Sequence, residues 1–117
     1  MKHVVESADE LYDLAHRTEG SLGCPIIDAL VQVLKTTRVM YPEDAALLLE
    51  VRTRDLRSAI HLLTGQPLWA LMQGWRRRQA RELLAEGALT ESQIAYRCGW
   101  KSVRTLRKHL AAHPDDV

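Results

Sequence analysis

The 117-residue chain has no Phe, two Cys and four Pro, and no apolar run near the roughly 18 residues a bilayer span requires. The missing run excludes a transmembrane helix, and the polar opening MKHVVESADE lacks the apolar stretch of a secretory leader. Cys24 and Cys98 stand far apart, with no CxxC and no His at zinc spacing. Neither a disulfide framework nor a structural metal is expected, and a reducing, cytoplasmic setting is. Equally missing are a Gly-rich phosphate loop and any Ser-His-Asp, Cys-His or paired-carboxylate constellation, so no catalytic residue and no cofactor is expected. His109 and His113 lie four apart but lack the further ligands of a metal site. Net charge is small too, with 16 Lys+Arg against 15 Asp+Glu.

What is present is a soluble-type composition, 46% apolar and 26% charged, in a length that allows one ordinary domain or two small subdomains. The near-neutral total hides a division. Residues 1–50 hold four basic and nine acidic residues, net −5, whereas residues 51–110 hold twelve and four, net +8, and Asp115 and Asp116 close the chain. A basic second half behind an acidic front suggests a polyanionic partner for one half only.

Apolar spacing is helical nearly throughout, with no sustained alternation and no Asn-Gly or Asp-Gly hairpin signal, which predicts an all-α fold. A capping box at Ser7-Ala8-Asp9-Glu10 opens the first helix, which stops before Gly20. Pro25 and Pro42 occupy the first turns of helices over about 25–37 and 42–50. Leu56, Ile60 and Leu63 mark a helix over 53–64, stopped at Gly65. The longest helix, 68–86, carries Leu68, Leu71, Met72, Trp75, Ala80, Leu83 and Leu84 and closes at Gly87. Thr90 and Ser102 cap two last helices, 91–97 and 103 to about 111. The short pairs 42–50 with 53–64 and 91–97 with 103–111 have helix-turn-helix proportions, the arrangement that places its second helix in a DNA major groove. Gly99 stands where the second turn needs positive φ, and Ala46 and Glu50 repeat the spacing of Ala95 and Gly99.

The run Ile94-Ala95-x-x-Cys98-Gly99-Trp100-x-Ser102-x-x-x-Leu106-x-x-x-Leu110 resembles the DNA-binding domain of AraC/XylS-type bacterial transcription regulators. Upstream, Leu56, Ile60 and Gly65, then Arg76-x-x-x-Ala80-x-x-Leu83-Leu84, are similar to that family's other segments at matching distances, so the resemblance spans residues 26–110. It implies two helix-turn-helix subdomains joined by a long helix, in the short type without a sensory domain. The expected organisation is an N-terminal helical extension over 1–24, a first subdomain over 25–66, a connecting helix over 67–87, and a second subdomain with its tail over 88–117. The chain departs from the pattern where Leu106 and Leu110 replace Phe, Glu50 replaces the first turn's Gly, and Arg52 replaces a capping Ser. Glu at positive φ costs on the order of 1 kcal/mol, so the first turn is expected to have another geometry or to be less well formed.

The implied partner is double-stranded DNA, with RNA polymerase recruited or blocked as the consequence. Arg54, Arg57 and Ser58 on the first recognition helix, and Val103, Arg104 and Lys108 on the second, are the expected base contacts. Arg76, Arg77 and Arg78 of the long helix, with Arg97, Lys101 and Thr105, are the expected phosphate contacts. Trp69, Trp75 and Trp100 are expected in the core, and Cys98 as a small buried apolar residue. The rival expectation is a protein-interaction or dimerisation module on a decayed fold of this type. Glu50, Asp55 and the acidic front half support it, with the extra helix bearing Leu11, Tyr12 and Leu14 as a homodimer surface.

Overall fold

The computed structural model describes residues 3–114, so Asp115 and Asp116 of the acidic tail lie outside the described residues. Seven helices and no strand are found among these residues: α1 (Ala8–Arg17), α2 (Pro25–Thr36), α3 (Pro42–Leu48), α4 (Thr53–Thr64), α5 (Leu68–Glu86), α6 (Glu91–Arg97) and α7 (Val103–Ala112). The fold is all-helical. No helix among the described residues is long and apolar enough to cross a membrane.

Local chemistry explains most of the boundaries. The Ser7 hydroxyl accepts from the Glu10 amide, and Pro25 and Pro42 open α2 and α3, where a missing N–H costs nothing. The full capping box lies at α6 instead, where Thr90 accepts from the Gln93 amide and the Gln93 side chain accepts from the Thr90 amide. Gly65 and Gly87 take left-handed φ of 71° and 72° and end α4 and α5. Helix α3 stops at Leu48, two residues before the expected end, because Leu49 and Glu50 form the turn itself.

Two apolar cores share α5. The first joins α1 to α4 and the front of α5 through Leu11, Ile27, Leu30, Leu34, Leu56, Ile60, Leu71 and Trp75, and the second gathers Met40, Ala80, Ile94, Ala95, Cys98, Trp100 and Leu106. Each large side chain so buried contributes roughly 1.5–3 kcal/mol. Leu68, Leu71, Met72 and Trp75 hold the buried stripe of α5 at i, i+3, i+4 and i+7. Trp69 falls about 100° off that stripe and is 56% exposed, which corrects its expected place in the core.

Helix α1 uses its apolar face within the chain. Leu11 and Ala15 are buried, Tyr12 meets the edge of Trp75 at 4.9 Å, and a Cβ on Gly74 would lie 2.5 Å from the Ala8 Cβ. Arg78 of α5 reaches Asp9 at 3.1 Å, Asp13 at 2.7 Å and Glu82 at 2.8 Å. Of the residues expected to form a homodimer surface on this helix, Leu11 is buried within the chain, while Tyr12 and Leu14 are half-buried against the first core.

Arg76 joins the two halves of the fold. It is fully buried and has no carboxylate among its hydrogen-bond partners. Its Nε donates to the Val39 carbonyl (3.0 Å), Nη1 to the Leu34 carbonyl (2.7 Å) and Gln79 Oε1 (3.0 Å), and Nη2 to the Thr37 (2.9 Å) and Val39 (2.7 Å) carbonyls. Those five bonds use all five N–H donors of a guanidinium. Leu34 and Thr37 belong to the end of α2, where unpaired carbonyls and the negative end of the helix dipole favour a cation. Burial pulls the Arg76 pKa down to about 10, so the group stays charged at neutral pH.

Replacing Arg76 by Met leaves the Leu34, Thr37 and Val39 carbonyls without their partner and is expected to cost about 3 kcal/mol or more. Arg76→Lys is expected to recover only part, because one ammonium cannot span the same acceptors. Urea unfolding measures both, and a Met variant within about 0.5 kcal/mol of the parent, the range of an ordinary surface change, would contradict this role.

Candidate nucleic-acid interface

The pairs α3–α4 and α6–α7 turn in the same way. Leu49, Glu50 and Val51 donate their amides to the carbonyls of Ala45, Leu47 and Ala46. Cys98, Gly99 and Trp100 donate to Ile94, Tyr96 and Ala95, so each donor and acceptor recurs 49 positions later. Glu50 has φ of 56° and Gly99 has φ of 85°. The expectation of another geometry in the first turn is thus corrected: Glu50 adopts the left-handed conformation in spite of its Cβ. It can do so because its side chain is exposed, whereas a Cβ on Gly99 would collide with the Arg38 carbonyl oxygen.

The second helices then differ. Four residues (49–52) separate α3 from α4, and five (98–102) separate α6 from α7. The Ser102 hydroxyl caps α7 by accepting from the Thr105 amide, while α4 starts after Arg52 with no side-chain cap. One exposed ion pair braces each pair of helices. Arg57 of α4 meets Glu43 of α3 at 2.7 Å, and Arg107 of α7 meets Glu91 of α6 at 2.6 Å. The Arg107 bond holds the Glu91 carboxyl below its ordinary range.

On α4, Arg54, Arg57 and Ser58 are exposed, and Arg57 carries its Glu43 partner. On α7, Arg104 and Lys108 are exposed, with Lys101 in the preceding turn and Arg97 at the end of α6. Among the described residues none of these last four pairs with a carboxylate. Val103 is half-buried against the second core, and the Thr105 hydroxyl lies 3.0 Å from the Ser102 hydroxyl within the cap, so both are partly committed to structure.

The three expected phosphate contacts on α5 require correction. Arg76 is internal and fully hydrogen-bonded, Arg77 is buried beside it at 7% exposure, and Arg78 is held by Asp9, Asp13 and Glu82. The basic surface consequently moves toward α7 and its turn. Arg38, in the segment between α2 and α3, belongs to that surface as well. It lies against Tyr96 of α6, and no local sequence signal connects two positions so far apart.

Cys98 is fully buried, and burial pushes its thiol up to about 11, which leaves it protonated and unreactive at neutral pH. Trp100 is buried where the resembled family keeps Phe, and its indole N–H finds no acceptor among the described residues. Its ring lies 4.5 Å from that of His109. The described residues hold no group of three or more His, Cys, Asp or Glu able to bind a metal. No protein-family model, curated protein or solved structure matches the chain.

The Glu50 geometry carries a measurable consequence. Glu50→Gly is expected to relieve strain and raise stability by about 1 kcal/mol in urea unfolding. A destabilised Gly variant would show that Glu50 contributes contacts that outweigh its backbone.

Proposed function

We propose that the chain is a sequence-specific DNA-binding transcription regulator, read chiefly by the α6–α7 pair. The observation that carries this reading is α7 itself. It is capped by Ser102, braced on α6, and presents Arg104 and Lys108 to solvent with no carboxylate partner among the described residues. A helix packed behind a short turn suits entry into a major groove, where Arg104 would offer a bidentate pair of donors to guanine. The matched turn hydrogen bonds support a second unit of the same kind in α3–α4, as the resemblance to AraC/XylS-type regulators implies. In that unit Arg54 and Ser58 are the base-contacting candidates, because Arg57 must first give up Glu43. Arg97 and Lys101 are the phosphate contacts, and Val103 and Thr105 add what their packed side chains leave exposed. Blocking or recruiting RNA polymerase would follow from occupancy of a promoter.

One observation favours the rival reading, a protein-docking module, for the first unit. Leu47 is 76% exposed, Leu48 and Val51 are exposed as well, and the exposed Glu43, Asp44 and Glu50 lie within four residues of them in the chain. Such an exposed apolar face suits a protein partner.

In a selection from randomised duplexes, the chain is expected to enrich a defined site. With roughly six to ten phosphate contacts, affinity should fall about 10³–10⁵-fold between 50 and 200 mM salt. Arg104→Ala is expected to cost about 1–3 kcal/mol and to relax preference at one base position. No enrichment over random duplex, or an unchanged profile for Arg104→Ala, would overturn the assignment.

A further inference from the structure

Two clefts flank α6, and both are walled by cations with no carboxylate in their linings among the described residues. The larger, of about 670 Å³, is lined by Lys35, Arg38 and Arg97 with Leu89 and Tyr96, and the smaller, of about 330 Å³, by Arg38 and Lys101 with Tyr96, Trp100 and Ser102. Arg38 is common to both, and it is held in place. Its Nε donates to the Tyr96 carbonyl and its guanidinium carbon lies 3.6 Å from the centroid of the Tyr96 ring. A guanidinium already stacked and tethered loses little further freedom when it meets an anion. Its own residue is exposed, and no carboxylate among the described residues pairs with it. The smaller cleft leads to the start of α7, a ten-residue helix whose first turn carries no acidic residue.

We propose that Arg38, although it lies outside both helix pairs, is a DNA-backbone anchor: with Arg97 and Lys101 it forms a phosphate track across α6 that sets how α7 enters the groove. The inference rests on the DNA-binding reading above and adds to it a residue that neither helix pair contains. The track follows from placement. Arg38 is the ridge between a cleft that holds Arg97 and a cleft that holds Lys101, so a strand passing the α7 N-terminus meets the three cations in sequence. Tyr96, 64% exposed, serves as the platform that fixes the middle cation rather than as a core residue. Gly99 brings the same segment against the α6–α7 turn through its close approach to the Arg38 carbonyl, so the anchor sits next to the turn that leads into the reading helix.

The experiment measures the salt dependence of binding to the selected duplex for the parent, Arg38→Gln and Arg38→Lys, with circular dichroism to verify that each variant is folded. A phosphate contact contributes a slope of about −0.9 in log affinity against log salt. Arg38→Gln is expected to make the slope shallower by about one while weakening all sequences alike, and Arg38→Lys to restore it, since the charge and not the stacking carries this term. A parent that binds no DNA overturns the underlying reading. A parent that binds, with a Gln variant whose slope is unchanged, overturns the anchor alone. So does a Lys variant that fails to restore the slope, because Arg38 would then act only through its packing on Tyr96.

Discussion

The Arg76 guanidinium is the interaction on which the arrangement of the two halves depends. A buried charge without a carboxylate is tolerable only if every donor finds an acceptor, and here three carbonyls around the end of α2 and one amide oxygen of α5 supply them. The bonds fix the 37–39 segment to α5 between the two apolar cores. Met40 of that segment then enters the second core, and the Arg38 carbonyl closes over Gly99. The position of the α6–α7 pair relative to the first five helices is thus set by the packing of Ala80 in the second core, by Arg81 donating to the Leu110 carbonyl, and by the segment that Arg76 holds.

The local features of the fold were legible because they depend on neighbours in sequence. Prolines at first turns, Ser and Thr caps, left-handed glycines and apolar stripes need only a few residues of context, and the helix ends they imply fall within two residues of those observed. The Arg76-Arg77-Arg78 triplet was not legible in this way. Its charges look like a solvated, phosphate-facing run, but Arg76 finds its carbonyl acceptors 37 to 42 residues upstream, and Arg78, besides Glu82, finds Asp9 and Asp13 65 to 69 residues upstream. Trp69 erred for the opposite reason: a large aromatic suggests a core, and only its helical phase shows that it faces outward. Three cations that the charge count assigned to a binding face are internal or neutralised by partners.

The two turns show how one backbone design tolerates different sequences. Their hydrogen bonds are the same, yet Gly99 is required by the nearby Arg38 carbonyl, while Glu50 faces open solvent and bears only its own strain. The units also diverge in charge. The first presents the apolar Leu47, Leu48 and Val51, and the second presents Arg104, Lys108 and Lys101, none of which pairs with a carboxylate among the described residues.

The most direct measurement of the central claim is the change in backbone amide shifts when the labelled chain is titrated with its selected duplex at low salt. DNA binding through α7 predicts the largest changes over residues 99–108 and at Arg38, with little change over Leu47–Val51. Changes concentrated on Leu47–Val51, or absent from α7, would contradict it.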